Sequence, residues 1–134
     1  AFGGAQLTQL IVRQYGFTPE EAETKKRGGD LPDDYGSGVL QPFVESMAQE
    51  ISRAMQFFFT STPYNRVDYA FLAGGSAALA GLTAAVTQQT SFPCSLIDPF
   101  AGMEIGGGVR ENKLRREAPS YLTACGLAMR RFLQ

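Results

Sequence analysis

The chain contains 134 residues with a formal net charge of -1, a length that supports one compact domain or two small subdomains. Its 44% hydrophobic and 19% charged content excludes a disordered or fibrous chain, and the near-neutral charge argues against a nucleic-acid-binding protein. The absence of histidine excludes catalysis by a histidine acid or base and every histidine-ligated metal site.

Two short helices are predicted near the amino terminus. Apolar residues three and four positions apart predict a helix over residues 6–15, and Gly16 then supplies a stop signal. A second helix is predicted over residues 19–27. Its start is marked by Thr18, whose side chain suits an N-cap, and by Glu21, which completes a capping box with it.

A long amphipathic helix is predicted over residues 39–61, after a loop over residues 30–37. Its apolar positions recur every three and four residues, as one buried face of a helix requires. Three consecutive phenylalanines at positions 57–59 place aromatic rings on too many sides for a solvated helix end. We therefore expect other parts of the protein to cover that end.

The second half of the chain alternates strands and helices. We predict a buried strand over residues 67–73, a helix over residues 81–89 and a second short strand over residues 94–97. A charged, glycine-rich connection over residues 101–116 then precedes a final helix over residues 119–132. This order predicts a β-α-β-α fragment of a layered α/β domain.

The cysteines and the uncharged stretch in the middle of the chain carry no special chemistry. Cys94 and Cys125 are too few for a disulfide framework or a cysteine-only zinc site, so we expect buried free thiols in a reducing cytoplasm. Residues 69–97 lack charged side chains, but their glycines, polar side chains and Pro93 argue against a membrane-spanning helix.

The most informative segment is the end of the first predicted strand, which runs directly into Gly74 and Gly75. Glycines at the carboxyl end of a strand allow the backbone to approach a ligand closely, because no Cβ intervenes. A simple strand-to-helix turn explains the same two glycines. The pattern by itself leaves both interpretations open.

The residues around this turn resemble the actin-like ATPase superfamily. Leu-Ala-Gly-Gly-Ser-Ala-x-Leu-x-Gly-Leu at positions 72–82 resembles the adenosine motif of that superfamily, in which two glycines pack against the nucleotide. The resemblance implies that Gly74, Gly75 and Ser76 contact adenosine.

Two earlier segments match the same superfamily in the same chain order. Phe2-Gly3-Gly4-Ala5-Gln6-Leu7-Thr8 resembles the motif that opens the helical insertion of the second lobe, and we favour a helix-starting turn over direct ligand contact for Gly3 and Gly4. Ala22-Glu23-Thr24-Lys25-Lys26 resembles the Glu-x-x-Lys helix that faces ribose and adenine. The resemblance therefore implies that Glu23 and Lys26 contact the nucleotide, with an ordinary solvated helix surface as the alternative.

One branch of the superfamily matches more closely than the others. Gln56-Phe57-Phe58-Phe59 and Tyr64-Asn65-x-Val67-Asp68-Tyr69 are similar to the PilM family, the FtsA-like proteins of type IV pilus assembly. Residues 65–75, Asp98-Pro99-Phe100-Ala101 and Ala124-Cys125-Gly126-Leu127-Ala128 follow the same family. The resemblance spans the whole chain.

This resemblance implies an α/β fold class: part of the second lobe of an actin-like (ribonuclease H-like) ATPase fold, with a helical insertion and an incomplete sheet layer. Residues 1–62 would form the helical inserted subdomain with its long connecting helix, and residues 63–134 a partial sheet-and-helix subdomain. The two phosphate-binding hairpins of the fold do not occur in the sequence. We therefore expect a carboxyl-terminal fragment that does not hydrolyse ATP. The resemblance implies that its intact parent binds ATP or ADP with Mg²⁺, and whether that parent is a weak ATPase stays open.

The implied function is a cytoplasmic scaffold that links nucleotide state to pilus assembly and twitching motility at the inner membrane. Its implied partners are other cytoplasmic pilus components and PilN, with the PilN contact expected mainly outside these residues. Two alternatives stay open: a purely structural interaction module without a nucleotide role, and an FtsA-like cell-division protein, which fits residues 57–69 less well. Strands missing beside residues 67–73 would leave an unpaired edge, so we also expect self-association.

Overall fold

The computed structural model describes residues 3–130, which fold into six α-helices and one small sheet. In chain order the main elements are α1 (Gly4–Tyr15), α2 (Pro19–Gly28), α3 (Gln41–Ser61), β1 (Ala70–Leu72), α4 (Leu82–Thr90), β2 (Cys94–Leu96), α5 (Glu111–Glu117) and α6 (Leu122–Met129). Single turns of tighter or wider helix supplement them: a π-helical turn at Gly36–Leu40 and 3₁₀ turns at Gly75–Ala78 and Ala118–Tyr121. The last residues of the final predicted helix lie outside the described range.

The predicted start of α2 is confirmed in detail. The backbone N–H of Glu21 donates to Thr18 Oγ1 over 3.3 Å, and the Glu21 carboxylate accepts from the backbone N–H of Thr18 over 2.9 Å. These two bonds satisfy donors that an isolated helix start leaves unpaired. They also lower the pKa of Glu21, chiefly through the bond from the Thr18 backbone.

The loop predicted over residues 30–37 ends earlier than expected, because a π-helical turn leads into α3. Proline has no N–H, and its ring crowds the carbonyl four residues earlier, so Pro42 cannot continue an ordinary α-helical ladder back to Gly38. The chain widens instead, and the N–H of Gln41 donates to the carbonyl of Gly36, five residues back. Such wide turns are rare and often border functional sites.

The two strands form a parallel pair, with Ala70 opposite Cys94, Phe71 opposite Ser95 and Leu72 opposite Leu96. Since α4 connects them, the predicted β-α-β unit is confirmed. Both strands are shorter than predicted. Within residues 3–130 each has one strand neighbour, and without further neighbours the hydrogen-bonded ladder extends over three residue pairs.

One hydrophobic core joins the first four helices. Leu7 and Ile11 of α1 and Val86 of α4 are almost completely buried. The core consists of ten buried residues: Leu7, Ile11, Ala22, Val39, Phe43, Val44, Met47, Ala48, Leu82 and Val86. The core contains residues from both sides of position 62, the predicted boundary between the two subdomains. The division of the chain into residues 1–62 and 63–134 stays a prediction.

Two expectations about burial are wrong. The phenylalanine end of α3 is not covered: Phe57 is 72% exposed and Phe58 is 37% exposed, whereas Phe59 packs against the ring of Phe92. The first strand, predicted as buried, has no fully buried residue in β1, and Phe71 is 63% exposed. The physical reason is the same in both places, because no element within residues 3–130 packs over these apolar surfaces.

The connection predicted over residues 101–116 contains a helix that the apolar pattern could not indicate. Helix α5 is charged and buries none of its residues, so it lacks a hydrophobic stripe. An ion pair one turn apart stabilises it, since Arg115 contacts Glu111 at 2.7 Å.

Cys94 and Cys125 are free, as predicted, although both are only partly buried. Burial raises the pKa of the Cys94 thiol, which keeps it protonated near neutral pH.

Among the helices between residues 3 and 130, none has the length and apolar character needed to cross a lipid bilayer.

Candidate functional site

Three of the sequence motifs meet at Gly4, the first residue of α1. The Lys26 ammonium on α2 donates to the Gly4 carbonyl over 3.1 Å. A Cβ placed on Gly4 would lie 3.4 Å from Ser76 Oγ and 3.7 Å from Lys26 Nζ. These are ordinary contact distances, and they show that the start of α1 lies against both α2 and the Gly75–Ala78 turn.

The Lys26 ammonium is held by three oxygen atoms of the protein. Its Nζ lies 2.6 Å from Glu23 Oε2, 2.7 Å from Thr8 Oγ1 and 3.1 Å from the Gly4 carbonyl oxygen. The side chain is 15% exposed. An ammonium group carries three N–H donors, so these three contacts occupy all of them.

Glu23 is an ionised carboxylate with one side still open. Oε2 accepts from Lys26 and lies 2.7 Å from Thr8 Oγ1, while Oε1 accepts from Arg27 Nε over 2.8 Å. The hydrogen bond from Lys26, followed by that from Thr8, lowers the pKa of Glu23 from 4.5 to about 2. Each carboxylate oxygen can accept two hydrogen bonds, so Oε1 retains one acceptor position.

Thr8 joins the two charged side chains, and sequence reasoning treated it only as the end of a motif. The residue is 8% exposed, and its hydroxyl accepts from Lys26 while lying 3.0 Å from the Gly4 carbonyl and 2.7 Å from Glu23. The available signal was its spacing, because Thr8 follows Gly4 by four residues and so lies on the same face of α1. A threonine on a core-facing helix stripe needs polar partners.

The glycine turn after β1 has two different glycines. Gly74 has φ 99° and ψ 166°, a region that side-chain-bearing residues rarely adopt, and its N–H donates to the Pro119 carbonyl over 2.8 Å. Gly75 has no such requirement, and a Cβ there would meet no atom within 4 Å. The backbone conformation thus explains Gly74, while Gly75 faces open space.

Gly3 has a local role. It is the N-cap of α1 in an extended conformation, and its carbonyl accepts from the N–H groups of Gln6 and Leu7 at 3.0 and 3.4 Å. The favoured interpretation of Gly3 and Gly4 as the start of a helix is confirmed. Contact of either glycine with a ligand stays a prediction.

The groups of this site that are open to a ligand suit an uncharged part of that ligand better than a phosphate. The groups left for a ligand are the free acceptor position of Glu23, the Ser76 hydroxyl and the open face of Gly75. Lys26 and Arg27 are paired with Glu23. In the described part of the chain no three His, Cys, Asp or Glu residues cluster closely enough to hold a metal ion. Sugar hydroxyls and ring amines fit these groups.

Comparison with known proteins agrees with the motifs. The profile of the family described as "Type IV pilus assembly protein PilM" matches residues 1–132. A chain of a solved "PilM-PilN type IV pilus biogenesis complex" is similar, with 23% sequence identity and a TM-score of 0.74. The match covers 96% of this chain and 37% of that chain. At this identity the structural likeness establishes a shared fold, and the family profile covers nearly the whole sequence. The chain therefore belongs to the PilM family of type IV pilus assembly proteins.

Proposed function

We propose that this chain supplies the adenosine-binding side of a nucleotide-dependent scaffold in type IV pilus assembly. The observation that supports it is the convergence of Gly4, Glu23, Lys26 and Ser76. These residues come from three separated motifs, each with its own likeness to an adenosine-binding ATPase.

In the proposed complex the Glu23 carboxylate accepts a hydrogen bond from a ribose hydroxyl at its free Oε1 position. Its low pKa keeps it an acceptor at neutral pH. The adenosine ring system lies over the open face of Gly75, beside the Ser76 hydroxyl. Lys26 acts indirectly, because its donors are already occupied, and it orients Glu23 together with Thr8.

The phosphates and Mg²⁺ of ATP or ADP are proposed to bind elsewhere in the whole protein. Phosphoryl transfer requires groups that clamp the phosphates and the metal, and this site presents none. We therefore propose that the 134-residue chain does not hydrolyse ATP by itself. Its proposed fold is that of the second lobe of an actin-like ATPase, consistent with the β-α-β unit and the helical first half.

The proposed partners follow from the family. The solved relative is a chain of a PilM-PilN type IV pilus biogenesis complex, and this likeness supports a PilN-like partner for the whole protein, bound mainly outside these residues. We further propose that the protein works at the cytoplasmic side of the inner membrane, where nucleotide state is signalled to pilus assembly and twitching motility.

Calorimetric titration of the full-length protein with Mg-ATP tests the adenosine assignment. We expect Gly75→Glu to weaken binding by at least about tenfold, because the new carboxylate would occupy the open space proposed for the nucleotide. Folding should be preserved, since a Cβ at Gly75 meets no neighbour. Gly107→Glu is the matched control: it makes the same change at another glycine with open surroundings, in the loop before α5.

Unchanged ATP binding by Gly75→Glu would reject the assignment. No ATP binding by the wild-type protein would favour the second candidate function, a purely structural interaction module. That second candidate is supported by the hydrogen bonds that Glu23, Lys26 and Thr8 form with one another without a ligand. The FtsA-like alternative is not favoured, because the matching family profile is that of PilM.

A further inference from the structure

Positive charge is concentrated over residues 110–130. This segment contains five basic and two acidic side chains, whereas the whole chain has a formal net charge of -1. Both acidic side chains already have partners: Glu111 pairs with Arg115 at 2.7 Å, and Glu117 accepts from the Tyr121 hydroxyl over 3.1 Å. Four basic residues are exposed and form no ion pair within residues 3–130: Arg110, Lys113, Arg116 and Arg130.

Three of these unpaired cations line one open groove of about 540 Å³, namely Arg110, Lys113 and Arg116. The acidic residue of the lining is Glu111, and Arg115 already pairs with it. A groove lined by charges of one sign raises the local concentration of ions of the opposite sign. Phosphate groups carry the acceptor oxygens that arginine and lysine bind most strongly. The groove therefore favours a ligand that carries phosphate.

Helix α6 follows this cationic segment and exposes apolar side chains. Its inner side contacts the fold through Cys125, whose Sγ donates to the Pro99 carbonyl over 3.6 Å. Leu127 comes two residues later, lies on the opposite side of the helix and is 58% exposed. Arg130 follows Leu127 by three residues and therefore shares its side of the helix. An apolar side chain beside an unpaired cation is typical of a helix that lies on an anionic bilayer surface.

The cationic helix α5 and the apolar helix α6 share one attachment to the fold. The turn between them is buried at Ala118, which is 2% exposed, and the Pro119 carbonyl accepts from the N–H of Gly74 over 2.8 Å. This turn fixes the end of α5 and the start of α6 beside the sheet. The basic and the apolar side chains are therefore presented by adjacent elements of a folded segment.

We propose that residues 110–130 bind the surface of a membrane that contains anionic lipids. Lipid phosphates bind to Arg110, Lys113 and Arg116, and Leu127 inserts at the level of the headgroups. A soluble phosphate compound would fit the groove but would leave the apolar side chains of α6 in water, whereas a bilayer accommodates both. The inference rests on the proposed location of the protein at the inner membrane and is independent of adenosine binding.

Sedimentation of the full-length protein with lipid vesicles, without other pilus proteins, tests this proposal. We expect binding to mixed vesicles of phosphatidylglycerol and phosphatidylcholine and no binding to vesicles of phosphatidylcholine alone, because the unpaired cations require anionic headgroups. Added sodium chloride should weaken binding, since salt screens the attraction between exposed charges. A full-length protein that does not bind the mixed vesicles would overturn the proposal.

Arg116→Glu should weaken binding to the mixed vesicles by about tenfold, because it removes one attraction to the anionic surface and adds one repulsion. Arg13→Glu is the matched control. It makes the same change at another exposed arginine, on α1, that has no ion pair in the described part of the chain. Equal weakening by the two variants would mean that net charge alone governs binding, and it would contradict the assignment to residues 110–130.

Leu127→Gln distinguishes a bilayer from a soluble phosphate compound as the ligand. The variant should bind the mixed vesicles several-fold more weakly, because an apolar side chain is then no longer transferred out of water. Its stability should be preserved, since Leu127 is exposed. Unchanged vesicle binding by Leu127→Gln would overturn the proposal in favour of a site for phosphate alone.

Titration of the same variant with Mg-ATP separates the two proposals. Affinity for Mg-ATP should be unchanged in Leu127→Gln, because the proposed adenosine contacts lie on α2 and in the glycine turn after β1. Loss of vesicle binding with normal nucleotide binding is therefore the expected result.

Discussion

The Lys26 ammonium lies 2.6 Å from a carboxylate oxygen of Glu23, one helical turn earlier on α2. The same ammonium reaches the backbone of Gly4, so this ion pair connects α2 to the start of α1. An isolated pair one turn apart on a helix surface stabilises a protein very little. Here the pair is part of a partly buried network with Thr8, and its members can be tested one at a time.

Glu23→Gln should reveal a pH-dependent contribution to stability. The folded pKa of Glu23 is about 2 against an ordinary value of 4.5, so its contribution is fully present above pH 4.5 and is lost as the pH falls towards 2. We expect the variant to be about 1 kcal/mol less stable at pH 7. This is less than the whole pKa shift would give, because solvent screens the charge of this partly exposed side chain. Urea denaturation across this pH range measures the difference.

Glu20→Gln is the control for this experiment, because Glu20 is exposed and has no ion pair in the described part of the chain. It removes the same charge from the same helix. A stability difference between wild type and Glu23→Gln that stays constant from pH 7 to pH 3 would contradict the proposed coupling.

Thr8→Val should destabilise the protein by about 1–2 kcal/mol, because the isosteric side chain leaves Lys26 and Glu23 with one hydrogen-bond partner fewer. Thr8→Ser keeps the hydroxyl and should recover most of the loss. Equilibrium unfolding in urea checks both variants, and titration with Mg-ATP should show the same order of affinities. Equal stability of the valine and serine variants would mean that the hydroxyl has no role in the network.

Leu82→Ala and Leu127→Ala should differ widely in their effects on the free energy of unfolding. Leu82 is 2% exposed in the core, so its truncation leaves a cavity and should cost about 3 kcal/mol. Leu127 is 58% exposed on α6, and its truncation should change stability by less than about 0.5 kcal/mol. Chemical denaturation of the 134-residue chain makes the comparison. A large loss in Leu127→Ala would show that α6 is packed in solution.

Phe71→Lys should reduce self-association of the 134-residue chain. Phe71 is 63% exposed on the outer face of the sheet, with its ring centroid 4.9 Å from that of Tyr69, and β1 pairs on one edge only within residues 3–130. An apolar strand with an open edge is a template for pairing with another chain. Light scattering over a concentration series should give a mass above the monomer for wild type and a lower mass for the variant.

Val109→Lys controls for added charge, because Val109 is 50% exposed in the loop before α5 and belongs to neither strand. The expectation would be wrong if the wild-type chain were monomeric at every concentration.

The local features of the fold follow from signals a few residues apart. The capping box of Thr18 and Glu21 forms because both partners lie in the same first turn. The left-handed conformation of Gly16, with φ 70°, ends α1 because glycine adopts it without steric cost. The order of β1, α4 and β2 was likewise predictable, since a right-handed crossover is the standard connection of two neighbouring parallel strands.

The arrangement of the candidate site required the tertiary structure. Sequence motifs singled out Gly4, Glu23, Lys26 and Ser76, but Lys26 takes its partners from Gly4 and Thr8, which lie 22 and 18 residues away. No local pattern encodes which distant oxygen an ammonium will meet, because that depends on how two helices pack. For the same reason the exposure of Phe57 could not be predicted from residue spacing. Short-range sequence signals determine where the helices and strands form, and the packing between these elements determines which side chains contact one another.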